Sequence, residues 1–211
     1  MKFIHSFLLF RTTLEHIPQT MDTNEVSITY QEGVNHEGVT SQAMELLKML
    51  GASSGNPTMV VSSVARTPYQ QASVMYYTCK VKGVASQYEL YARSGDKVVA
   101  VFEREVKRGK QRTAVVQAMF EKILQLGPSN VSKHCVDTSI MNVFDIPFSS
   151  ITNQKEFRSA LKHLQPYPIS RYLDENKNSC FHIEMKLSDV EAFFNTREYE
   201  KALRDLGMAL A

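Results

Sequence analysis

Two imidazoles and one carboxylate, His134, Asp145 and His182, stand at or beside segments whose composition reads as strand. Such a set suits a catalytic zinc ion, which takes three protein ligands and keeps one position open for water. The separations are eleven residues from His134 to Asp145 and forty-eight from His134 to His182, so only the fold can bring the three together. For each residue there is a plainer duty: a surface hydrogen bond for His134, a turn cap for Asp145, half-burial for His182. Glu184 follows His182 by two positions in an alternating segment, so both side chains leave one face, where a carboxylate can take a proton from water. Pairing with Lys186 on that same face is the alternative. Arg66 ends the run TMVVSSVA, just before a helix that Pro68 opens, and a guanidinium fixed there can grip a carboxylate such as a peptide terminus. Gln71 stands about one helical turn beyond Pro68 and can add an amide contact.

The elements that must position these groups follow from periodicity. Val39, Ala43, Leu46, Leu47 and Leu50 recur at helical spacing over Gly38–Leu50, with Thr40 or Ser41 as the cap. Gly51–Pro57 has loop composition, and Thr58–Ser62 is a β-branched run that predicts a buried strand. A helix is expected over Tyr69–Thr78, with Ala72, Met75 and Tyr76 on one side, and another over Ser86–Arg93. Ser94, Gly95 and Asp96 predict a turn, Lys97–Phe102 (KVVAVF) a strand, and Arg112–Leu126 a helix that turns Val115, Val116, Met119, Ile123 and Leu124 inward before Gly127 and Pro128 stop it. Met141–Ile146 reads as an apolar strand with Asp145 near its end, and Gln154–Leu164 as a helix. Cys180–Leu187 alternates Phe181, Ile183, Met185 and Leu187 with His182, Glu184 and Lys186, which is strand period with one polar face. Ser188–Leu206 is expected as one closing helix, capped by Ser188 with Glu191 three residues on. Short strands among separated helices make the expected class α+β, a small antiparallel sheet flanked by helices.

Three segments, VSSVARTPYQQA (Val61–Ala72), VSKHCVDTSIMNVFDI (Val131–Ile146) and CFHIEM (Cys180–Met185), resemble in order the signature regions of the M15 zinc D-Ala-D-Ala peptidases. These are the VanY-like and endolysin-type peptidoglycan peptidases with a Hedgehog-like fold. The resemblance covers roughly Val39–Leu187, and the order of the three segments is more specific than any one alone. It implies zinc ligation by His134, Asp145 and His182, with Ser132 in the Ser-x-His element beside substrate. Glu184 would correspond to the acid of a His-x-Asp/Glu ending, and Arg66 to an arginine that meets a substrate carboxylate or carbonyl. The implied reaction is hydrolysis of peptidoglycan stem peptides, as a D,D-carboxypeptidase or an L,D- or D,D-endopeptidase. Two positions depart from the pattern. The family places Asp seven residues after the first His, where this chain has Met141; Asp145 and Asp137 are the candidates, and Asp145 is preferred for its apolar strand. Ser179 stands where the family has Glu, three residues before His182, which leaves the base to Glu184.

Composition bounds the alternatives. With 211 residues, the chain fits one domain with decorations at about 150 residues per domain. The expected division is an N-terminal extension over 1–25 and a peptidase-like domain over 26–211. Lys2 with the run Phe3–Phe10 looks like the start of an export signal, but His5 and Ser6 interrupt it and no small-x-small site follows. Both an exported protein and one released to the wall by a partner are consistent with that. A net charge of +2 is too small to mark a nucleic-acid surface, and no apolar run approaches the ~20 residues of a membrane span. The cluster Arg104, Lys107, Arg108, Lys110 and Arg112 is broken by acids and predicts a solvated turn. The three cysteines, Cys79, Cys135 and Cys180, are too few for a disulfide framework; Cys180 shares a strand face with His182, which leaves a thiol nucleophile as a rival chemistry. A non-catalytic, metal-holding module is the third reading.

Overall fold

The computed structural model describes residues 21–208; the Lys2–Phe10 run lies outside them. A 3-10 turn over Thr23–Glu25, capped by the Asp22 carboxylate, leads into β1 (Ser27–Tyr30). Met21 packs against the core beside it. Helix α1 (Ser41–Ser53) starts where the Thr40 hydroxyl accepts from the Ala43 amide, and it buries Ala43, Leu46, Leu47 and Leu50. Strand β2 (Thr58–Val61) then pairs in parallel with β1, Ser27 opposite Thr58.

Thr67 and Gln70 form a capping box, and with Pro68 in the first turn they begin α2 (Pro68–Lys82). Next come α3 (Val84–Leu90), α4 (Arg93–Lys107), α5 (Arg112–Leu126) and α6 (Pro128–Val131). The expected strand Lys97–Phe102 lies inside α4. Its β-branched run imitates a strand, but Gly95, Val98, Val99, Phe102 and Glu105 recur at helical spacing and are buried, and packing against α5 decides the outcome. The expected turn at Ser94–Asp96 is the first turn of that helix, where Gly95 allows the Tyr91 ring a close approach that a Cβ would block. In α5, Leu124 is exposed rather than inward, because Val115, Val116, Met119 and Ile123 already complete the buried stripe.

A 3-10 turn over Lys133–Cys135 precedes β3 (Met141–Pro147), and α7 (Gln154–His163), β4 (Arg171–Glu175) and β5 (Cys180–Lys186) follow. The second sheet is antiparallel in the order β3-β5-β4. Asn142, fully buried in β3, accepts from the Thr40 amide and donates to the Gly38 carbonyl, which pins the start of α1 to the sheet. The closing segment forms two helices, α8 (Leu187–Phe194) and α9 (Arg197–Asp205). They separate where Asn195 and Thr196 turn their side chains back onto the Glu191 and Phe193 carbonyls. Ser188 sits inside α8 and donates to Asp189, so the expected capping box does not form; Lys186 holds the cap position. The fold is thus α+β with two small sheets.

Two apolar clusters fill the interior. One joins both sheets to α1, α7, α8 and α9; the other lies among α2, α4 and α5. The extended segment after β2 is tied to the second sheet where Ser63 bridges to Asp145 of β3.

Candidate metal centre

Three elements deliver the ligand candidates. His134 is carried by the turn after α6, which the Ser132 hydroxyl caps by accepting from the His134 N–H at 3.3 Å. Asp145 and His182 are directly opposed across β3 and β5. The Arg66 amide donates to the His134 carbonyl at 2.7 Å, which ties the turn to the segment after β2. The ligand atoms of His134, Asp145 and His182 lie within 4.8 Å of one another. His134 Nε2 is 3.0 Å from Asp145 Oδ2, and His182 Nδ1 is 2.9 Å from Asp145 Oδ1. The two rings stand edge to face with centroids 5.1 Å apart. Asp137, the other acid considered, is exposed and accepts from Ser139, away from this cluster.

The second contact of each imidazole fixes which nitrogen faces inward. His134 Nδ1 meets the Val64 carbonyl, an acceptor only, so that nitrogen carries the proton and Nε2 presents its lone pair to the centre. His182 has a carboxylate on each nitrogen, Asp145 Oδ1 at 2.9 Å from Nδ1 and Glu184 Oε1 at 3.3 Å from Nε2; the doubly protonated ring donates to both, and a ring that gives up its Nδ1 proton keeps Nε2–H on Glu184. In that neutral form each imidazole directs a lone pair at the Asp145 carboxylate. Acceptor facing acceptor is unfavourable unless a cation stands among them, and backbone and carboxylate partners on the outer nitrogens are the support that metal-ligating histidines use. The donor set, two nitrogens and a carboxylate, could therefore hold a metal ion. A second set shares Asp145 and adds Glu175 and Cys180.

Without a cation, a proton on His182 takes that place. Burial would pull the His182 pKa down, but the Asp145 and Glu184 carboxylates outweigh it and hold it at about 9. Burial pushes Asp145 up, yet the two imidazoles beside it bring its carboxyl well below the usual range. Glu184 is lowered as well: burial opposes the shift, and the His182 ring, Arg171 and Lys133 drive it. Both acids are anionic at neutral pH.

The cleft over this centre is about 390 Å³ and also borders Arg66, Ser132, Tyr91 and Glu184. Arg66 is already engaged: Nη2 donates to Asp145 Oδ2 at 3.3 Å and Nη1 to Gln71 Oε1 at 3.0 Å. Gln71 is fully buried and reaches the cleft through its neighbours rather than directly. Glu184 Oε1 faces His182, and no hydrogen bond among the described residues engages Oε2. The alternation expected of β5 holds, but the polar face of Cys180, His182 and Glu184 is buried in the cleft wall instead of meeting bulk water.

The rival chemistries fare differently. Burial pushes the Cys135 thiol up to about 11, and burial with Asp145 and Glu175 pushes Cys180 higher still. Neither thiol has an imidazole partner among the described hydrogen bonds; Cys180 Sγ instead lies 3.9 Å from Glu175 Oε2. A thiolate nucleophile is disfavoured at neutral pH. The basic cluster belongs partly to α4, where Arg104 and Arg108 both pair with Glu105, and Arg112 lies over the Tyr76 ring. None of it borders the cleft.

Sequence reasoning missed Tyr91, Lys133, Arg171 and Glu175 in the cleft wall. Arg171 had a findable signal only if β4 had been recognised, since it lies opposite Glu184 in the strand register. No protein-family model, no curated protein and no solved structure matches this chain.

Proposed function

We propose that the chain is a zinc-dependent peptidase of Hedgehog-like fold, directed at bacterial peptidoglycan stem peptides as a D,D-carboxypeptidase or an L,D- or D,D-endopeptidase. The observation that carries this is the convergence of His134, Asp145 and His182 from three separate elements, in the order of the M15 resemblance, with their outer nitrogens supported by the Val64 carbonyl and the Glu184 carboxylate. Zinc in such a donor set supplies Lewis-acid polarisation of a carbonyl and activation of water.

The chain's own groups divide the remaining work. Glu184 keeps His182 oriented through Oε1 and offers Oε2 as a proton acceptor; its lowered pKa suits a base that begins the reaction ionised. Arg66 has five N–H donors, and those not used by Asp145 and Gln71 are free for a substrate carboxylate or carbonyl. The Ser132 hydroxyl borders the same cleft. A non-catalytic, metal-holding module is the second reading, favoured by one feature: the acid beside the centre already has a ring to hold, and Ser179 stands where a separate base would be.

Metal analysis with turnover of an acetylated stem pentapeptide tests the proposal. The expected result is about one zinc per chain in the wild type, lost in His182→Ala and in His134→Ala. Glu184→Gln keeps an acceptor for the His182 ring, so it should retain zinc and lose hydrolysis. Equal loss of zinc in Glu184→Gln would end that division of roles, and stoichiometric zinc with no cleavage in the wild type would favour the binding module.

A further inference from the structure

Tyr91 lies between α3 and α4 in the cleft wall, and the hydrogen bonds around it decide where its proton goes. Arg66 has donors only, so the Gln71 atom 3.0 Å from its Nη1 must be the carbonyl oxygen. That fixes the amide. Gln71 Nε2 then faces the Tyr91 hydroxyl at 3.1 Å and donates to it. The phenol oxygen is therefore an acceptor within the protein, and its own O–H meets no acceptor among the described hydrogen bonds. Because Gln71 is fully buried, the arrangement cannot relax by swapping partners with water. Burial also raises the phenol pKa to about 12, so the proton stays in place across the neutral range.

We propose that the Tyr91 hydroxyl is a substrate-binding hydrogen-bond donor, oriented by the chain Asp145–Arg66–Gln71 toward a carbonyl or carboxylate oxygen of the peptide in the cleft. The inference rests on the reading of the cleft as a peptide site. It gives Gln71 a specific duty: a positioning residue that makes the donor one-directional. A glutamate at position 71 would still accept from Arg66, but it could no longer donate to the phenol. The Tyr91 hydroxyl would turn back to bond that carboxylate and be lost to substrate.

The test is steady-state kinetics of the zinc-loaded full chain on an acetylated stem pentapeptide, beside zinc content. Tyr91→Phe should raise KM about tenfold, the effect of one lost hydrogen bond to a substrate oxygen, with kcat within about twofold and zinc unchanged. Gln71→Glu should raise KM by a similar factor although the hydroxyl is still present. The double variant should be no worse than either single one, because both remove the same contact. If the wild type cleaves the peptide and Tyr91→Phe shares its KM, the donor role falls while the peptidase reading stands. Additive losses in the double variant would reduce Tyr91 and Gln71 to separate packing roles and overturn the proposal. A zinc-loaded wild type that neither binds nor cleaves the peptide overturns both readings together.

Discussion

The two apolar clusters are built from different materials. The sheet-side cluster is rich in aromatic rings, with Phe144, Phe157, Phe181 and Phe193 all fully buried, whereas the helical cluster of α2, α4 and α5 is mostly Val and Met. Their contributions to the site differ in parallel. Asp145 and His182 rise directly from rigid β3 and β5, with large rings on the opposite face, while the helical side supplies Gln71 and Tyr91, groups that act through hydrogen-bond direction. The lesson is a separation of tasks: the sheet side fixes two of the three candidate ligands, Asp145 and His182, while the helical side brings His134 to them on the turn after α6 and shapes what meets them.

The strongest way to break this separation is Phe181→Ala. Phe181 packs between the Phe148 and Phe157 rings and adjoins His182, and its truncation should cost about 3–5 kcal/mol in urea unfolding and weaken zinc binding as well. Met119→Ala, in the helical cluster, should cost about 2–5 kcal/mol and leave zinc content unchanged. If both variants lost zinc equally, the separation would fail. Metal removal comes next. A chelator should lower stability by about 2.7 kcal/mol relative to zinc at a hundredfold over its Kd, with hydrogen exchange accelerating in β3, β5 and the 133–135 turn before α4 and α5. Uniform acceleration would argue against it.

Acidity sharpens the comparison further. In the metal-free chain the His182 pKa is raised from 6.5 to about 9, so its contribution is fully present below pH 6.5 and lost as pH climbs through 9. Metal-free protein should lose about 3 kcal/mol across that window. His182→Gln should flatten the profile, and an unchanged slope would assign the loss to other groups. The smallest expected effect is Thr67→Ala, about 1 kcal/mol from a lost helix cap, with zinc retained.

Much of the sheet side was legible because its signals are local. The alternation of Cys180–Leu187 placed His182 and Glu184 on one face, and the apolar run around Asp145 marked a strand. The starts of α1 and α2 could be read for the same reason, from a Thr40 or Ser41 cap and from Pro68 in a first turn, although the Thr67 cap itself was not. The helical side was harder. Val98, Val99, Val101 and Phe102 carry strand-like side chains, and only their burial against α5 makes them helical. β4, with the sequence RYLDE, has too little alternation to stand out, and Arg171 and Glu175 went unnoticed with it. Tyr91 gave no signal at all, since its role depends on two hydrogen bonds made across twenty-five residues of chain, from Arg66 through Gln71.

The bridge from Ser63 to Asp145 has a consequence for the order of events during synthesis. The segment that holds His134 through the Val64 carbonyl emerges early, yet its partner in β3 follows some eighty residues later, and His182 later still. A nascent chain that ends before β5 has one imidazole and one carboxylate but no complete ligand set. A metal ion that needs all three residues would therefore be bound only once the last strand has docked, after chain segments of very different age have found one another.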